Sequence, residues 1–155
     1  MRFLGESGKN MKKRWLVLMI LLPACGVSLA NDSPQALQDA FVAALVANDV
    51  DGLAACYTDD ATNYPVDSMA GVGPESVRES WGGFFGIYTV TDARLFDGHL
   101  EEIGDTAVAW GLFSLTVVPV EGGEAIEMQG RYMDVAKNIN GQWLYVADHA
   151  SVPSP

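Results

Sequence analysis

The chain has 155 residues, 49% of them hydrophobic, with 9 Lys and Arg against 20 Asp and Glu and a formal net charge of −11. That length suits one domain. The acidic balance argues against a nucleic-acid binder or a protein drawn to anionic membrane, because both need clustered basic charge.

The first 30 residues differ from the rest. Met11-Lys12-Lys13-Arg14 is basic, Trp15 to Leu22 is an apolar run, and Ser28-Leu29-Ala30 is a small-x-small site before Asn31. This is the pattern of a secretory signal peptide, and the run is too short to span a membrane. Met11 offers an alternative start. Leu22-Pro23-Ala24-Cys25 has the look of a lipobox, which would anchor the chain through a lipid on Cys25. Pro23 is unusual in such a box, so soluble export after Ala30 is preferred, and the expected location is secreted or periplasmic. Residues 1–30 hold five basic residues and one acid, which leaves four basic against nineteen acidic, net −15. With Cys25 removed or lipidated, Cys56 stands alone and no intramolecular disulfide can form. Its apolar, helical surroundings suit a small core residue better than a nucleophile.

Beyond residue 30, helices come first. Ser33-Pro34 is a capping hydroxyl followed by proline at the first helical position. Leu37, Phe41 and Leu45 then repeat at helical spacing up to Asn48. Asp49-Val50-Asp51 caps a short second helix through Leu53 to Tyr57. Thr58 to Thr62 is polar and leads into Asn63-Tyr64-Pro65. Gly71-Val72-Gly73-Pro74 is a turn with another early proline, and a third helix runs from Glu75 to about Phe85. From Tyr88 the pattern is β. Turn signals at Gly104-Asp105, Glu121-Gly122-Gly123 and Asn140-Gly141 separate four long runs, 88–103, 106–120, 124–138 and 142–151. Residues 152–155 form a short tail. Helices first and an antiparallel meander second is an α+β layout. Strands of this length must twist and coil. Three N-terminal helices packed on a strongly curved, mostly antiparallel sheet would make a cone with a cavity.

The segments "YTDDAT" (57–62), "GVGPESVRESW" (71–81) and "GRYMDVAKNINGQWLYVADHAS" (130–151) occur in an order that resembles the NTF2-like superfamily. More closely, the chain resembles its SnoaL-like, DUF4440-type branch. The resemblance covers residues 34–151 and implies the cone fold of ketosteroid isomerase, polyketide cyclases, scytalone dehydratase and the kinase association domain. It says little about activity, since the fold hosts enzymes, binders and assembly modules.

Ketosteroid isomerase-like chemistry needs a tyrosine in the first helix, a catalytic aspartate after the "DDAT" segment and a protonated aspartate on a late strand. Here the first position falls on Phe41, which has no hydroxyl, and the second falls at Asn63-Tyr64, where there is no carboxylate. Only the third matches, at Asp134. Steroid isomerisation by that mechanism is therefore not expected. Asp134 remains a candidate acid, base or hydrogen-bond donor, since an apolar pocket raises a carboxyl pKa. A structural acid paired with Arg131, His149 or a tyrosine is the alternative. Strand alternation places Tyr132 on the same side as Asp134.

"DHAS" at 148–151 resembles the end of the kinase association domain. On a regular strand, Asp148 and His149 face opposite ways unless a bulge intervenes. The expectation is His149 facing in, paired with Asp134 as catalytic groups, and Asp148 facing out. A His149 that merely bonds Ser151 or nearby backbone is the other possibility. His99, among acids, reads as a surface residue. Tyr64, Trp81 and Trp110 are the expected pocket wall, with Tyr132 and Tyr145 among the ligand-binding aromatics. No metal-ligand spacing, phosphate loop or nucleophile elbow is present, so no metal and no cofactor are expected.

The preferred function is an exported domain that binds a small, mostly apolar molecule. The alternatives are an isomerase, dehydratase or cyclase using Asp134 and His149, and an assembly module with no chemistry. The resemblance implies a homodimer through the sheet in each case.

Overall fold

The computed structural model describes residues 31–66 and 68–153. The expected leader, its lipobox and Cys25 lie outside these residues. Three helices, α1 (Pro34–Ala47), α2 (Val50–Ala54) and α3 (Gly73–Phe85), precede four long strands, β3 (Tyr88–Ile103), β4 (Thr106–Pro119), β5 (Ile126–Ile139) and β6 (Gln142–Ser151). Two further strands, β1 (Tyr57–Tyr64) and β2 (Gly71–Val72), lie between α2 and α3. One six-stranded sheet results, in the order β2-β1-β6-β5-β4-β3. All neighbours are antiparallel except β1 and β6, which run parallel.

The helix signals act as the sequence reading predicts. Ser33 Oγ accepts from the Ala36 N–H at 3.1 Å and starts α1. Asn48 ends it in the left-handed region at φ 53°. The Asn48 side chain then accepts from Val90 N–H (2.9 Å) and donates to Val90 O (3.0 Å), which ties the end of α1 to β3. Leu37 of α1, Leu53 of α2, Val77 of α3, Val90 of β3 and Val117 of β4 are fully buried together. The core is thus the layer between the helices and the concave sheet face.

The segment 57–64 corrects the sequence reading. The second helix stops at Ala54, and the polar run expected to be a connector is a strand. Tyr57, Ala61 and Asn63 of that strand are buried. Asp59 and Asp60 remain exposed. The pairing with β6, not local propensity, makes this segment extended. Cys56 precedes β1 and is buried, its thiol donating to Gly52 O at 3.5 Å. Burial pushes that thiol up to about 12, so it is a core residue and no nucleophile at neutral pH.

Two of the sheet's register shifts bear on the cavity. In β3 the pairing shifts between Phe96 and His99, with Asp97 at φ 48°, so Gly98 is brought close to Gly111 of β4. A Cβ at Gly111 would sit 2.8 Å from Gly98 Cα and 3.0 Å from the Tyr132 ring. The two glycines leave a slot that the Tyr132 phenol fills. Gly111→Ala is expected to cost about 1–3 kcal/mol through overpacking of that slot; the check is denaturant unfolding of the variant beside the parent.

In β5 and β6 the ladder pairs Ala136 with Tyr145 but Val135 with Ala147. Val146 is therefore an extra, unpaired residue, a β-bulge. Every side chain after it lies on the opposite face from the one regular alternation would give.

Candidate functional site

The cone encloses a cavity of about 210 Å³ between α1, α3 and the concave sheet face. Phe41 and Leu45 from α1, Trp81 and Phe84 from α3, and Phe113, Tyr132 and Tyr145 from the strands form most of its wall. Helical spacing puts the first four on the inner helix faces. The rings pack edge to face, with Phe41 to Trp81 at 6.2 Å and Phe41 to Tyr145 at 5.8 Å. A cavity of about 150 Å³ is known to admit benzene, so this one has room for a one-ring molecule.

At one side of the apolar space stand two acids. Asp134 of β5 and Asp148 of β6 are direct register partners, and both line the cavity. Asn63 of β1 is the register partner of Asp148 on the other side and also lines it. The row Asn63–Asp148–Asp134 thus crosses three strands. Tyr57 donates a short hydrogen bond from its hydroxyl to Asp148 Oδ2. Gln38 of α1 donates to the Tyr132 hydroxyl at 3.5 Å. Asp134 is 8% exposed, and its buried Oδ1 receives no hydrogen bond from an N–H or hydroxyl donor.

The physics of this pair is set by desolvation and repulsion. Burial pushes Asp134 well above the usual carboxylate range, and the neighbouring Asp148 charge and hydrogen bond push it further. Burial also raises Asp148, but the hydrogen bonds from Tyr57 and Asp134 and the charge of His149 act in the opposite direction. Asp134 is therefore the member that holds the proton and donates it to the Asp148 carboxylate. A proton held between the carboxyls gives the otherwise orphaned Asp134 oxygen a partner. Tyr57 and Tyr145 are raised as well, first by burial, and stay neutral.

The positions of the expected site residues divide. Asp134, Trp81, Tyr132 and Tyr145 line the cavity, and Tyr64 stands at its rim, 47% exposed. Trp110 does not belong there. Ala109 and Phe113 of β4 face inward, so Trp110 lies on the outer sheet face, stacked on His99 at 5.3 Å. The expected facing of residues 148 and 149 is reversed. The Val146 bulge turns Asp148 inward, and His149 is exposed on the outer face beside Tyr64. His149 does not meet Asp134. Tyr57 was not picked because it reads as the end of the second helix, and Asn63 because it follows the polar run and offers no carboxylate.

The raised Asp134 predicts an unusual pH dependence. An unfolded aspartate ionises near about 3.9. Between that value and the higher folded one, the native state binds more protons than the unfolded state. Stability is then fully present below the unfolded pKa and falls as pH rises, by up to about 1.4 kcal/mol per pH unit. Asp134→Asn removes the titrating group. It is expected to flatten this fall and to unfold at higher denaturant than the parent at neutral pH. An unchanged pH profile would mean that Asp134 ionises normally.

Comparison with known proteins follows this geometry. A family profile for the SnoaL-like domain matches residues 39–146. No curated protein matches the chain. A ketosteroid isomerase-like protein from Erwinia carotovora atroseptica superimposes with TM-score 0.65 at 20% identity, over 78% of this chain and 94% of that one. A provisionally assigned scytalone dehydratase from Novosphingobium aromaticivorans gives TM-score 0.69 at 12% identity, over 77% and 81%. An NTF2-like superfamily protein from Salmonella enterica serovar Typhimurium gives TM-score 0.64 at 19% identity, over 77% and 87%. Identities this low establish a common fold and leave activity to the site. The cone, its helix order and the profile match agree: the chain belongs to the SnoaL-like domain family and has the fold of NTF2-like proteins.

Proposed function

We propose that this is an exported domain that binds a small, mostly apolar molecule in the cone, oriented by Asp134 and Asp148. One observation carries the reading: an aromatic-walled space of about 210 Å³ is lined by a row of polar side chains, Asn63, Asp148 and Asp134, at paired positions of three adjacent strands. That is the layout of a ligand site, where apolar surface supplies affinity and a few polar groups supply orientation. Native mass spectrometry of the protein purified from its own exporting host tests it. The expected result is a bound small molecule that is retained by the parent and lost in Trp81→Ala. An empty cavity in both would remove the support.

A second reading, proton transfer of the isomerase or dehydratase kind, is favoured by the adjacency of the two carboxyls. The pair is then Asp134 with Asp148 in place of Asp134 with His149. One acid holds a proton while the other is ionised, so the site has a donor and an acceptor side by side. If the bound molecule is turned over, Asp134→Asn is expected to lower kcat by about 10²–10⁴-fold.

The outer sheet face supports a homodimer as the assembly. His99, Trp110, Met133, His149 and Tyr64 are consecutive register partners across β3, β4, β5, β6 and β1. Met133 is 54% exposed at the centre of that row. A contiguous apolar and aromatic row on an exposed face is what a second copy would cover. Met133→Glu is expected to convert a dimer to a monomer in light scattering, with the fold unchanged by circular dichroism.

A further inference from the structure

We propose that the ligand of this cavity is a small organic cation, an ammonium group on a one-ring or short alkyl body, held between the Asp134–Asp148 pair and the surrounding rings. The inference rests on the reading of the cavity as a binding site and specifies its chemistry.

Charge on the wall comes first. Asp134, Asp148 and Arg94 are the charged residues lining the space. The Arg94 guanidinium is engaged with Asp92 at 3.1 Å and its side chain is 65% exposed, so it does not neutralise the acids. An anionic ligand would meet uncompensated carboxylate in a low dielectric.

The second observation is independent of charge count. Asp134 is more than nine-tenths buried, lines the cavity, and has an acceptor oxygen that no N–H or hydroxyl satisfies. Such an atom requires a donor. Without a ligand, the Asp134 carboxyl avoids an unpaired buried charge only by keeping its proton and donating it to Asp148. An ammonium group replaces that proton: one positive charge enters, one proton leaves to solvent, and both carboxylates end up paired. A neutral isostere of the same shape has no charge to offer in exchange.

The rings supply the third. Phe41, Trp81 and Tyr145 line the same space, and Phe41 packs edge to face with each of the other two. Ring faces attract cations more strongly when water is excluded. The other titratable groups around the pair are Tyr57 and Tyr64 on β1, Tyr132 on β5, Tyr145 on β6, and His149 on the far face of β6. The wall residues contributed by α1 and α3 carry no charge.

Isothermal titration of the purified chain with benzylamine and with benzyl alcohol tests the proposal, in buffers of different ionisation heat. Benzylamine is expected to bind at least about tenfold more tightly than the alcohol and to release a proton on binding. Asp134→Asn, and separately Asp148→Asn, are expected to abolish both the preference and the release. Equal binding of the two probes overturns the cation assignment and leaves the apolar-ligand reading standing. Binding of the alcohol alone also overturns it. Binding of neither removes this inference and the reading beneath it. The comparison of probes uses the parent protein, so it holds even if a variant fails to fold.

Discussion

One unpaired residue, Val146, decides what this domain presents to its interior. The ladder between β5 and β6 slips there, and the side-chain alternation of β6 is inverted from that point onward. Tyr145 before the bulge and Asp148 after it consequently share the concave face. Without the slip, His149 would look inward and Asp134 would have no acidic neighbour. The chemistry of the cavity thus depends on a backbone irregularity more than on the identity of any one side chain.

The acid pair is also supported from outside the two strands that carry it. Two like charges at neighbouring positions repel, and burial penalises each. The Tyr57 hydroxyl stabilises the ionised partner, while the other keeps its proton. Tyr57 is itself clamped by Phe41 at 6.2 Å and Tyr145 at 5.4 Å. Phe41 stands where the isomerase-like pattern has a tyrosine, and Asn63 where it has a carboxylate. The hydroxyl is supplied instead from β1, and a second carboxylate from the residue beside Asn63 in the sheet. The polar groups that face the cavity can therefore come from different strands without a change in the frame.

Much of the frame was legible in the sequence. Serine–proline and glycine–proline pairs mark α1 and α3, and glycine turns bound β3 to β6 within two residues. These signals are local, so a single sequence carries them. β1 was not legible, because Asp59, Asp60 and Asn63 have poor strand character, and its order comes from a partner over eighty residues away. Asp134 was legible through its place in the family pattern. Asp148 was visible as an acid but assigned to the wrong face, since no residue type announces a bulge at Val146. Trp110 was placed in the wall as an aromatic of the second long strand, although the alternation of β4 turns it outward.

The position of β6 in the sheet bears on how the chain acquires its structure. β6 is the last strand in sequence among the described residues, yet it lies between β1 and β5. It alone joins the β1–β2 arm to the β5–β4–β3 meander. A nascent chain can form helices and two antiparallel hairpins early, but the two halves of the sheet remain separate until residues 142–151 arrive. Loop closure over that distance is slow relative to local pairing. Until it happens, the edges of β1 and β5 are unsatisfied and open to other chains. Quality control during synthesis would act on that interval, before the sheet has its central strand.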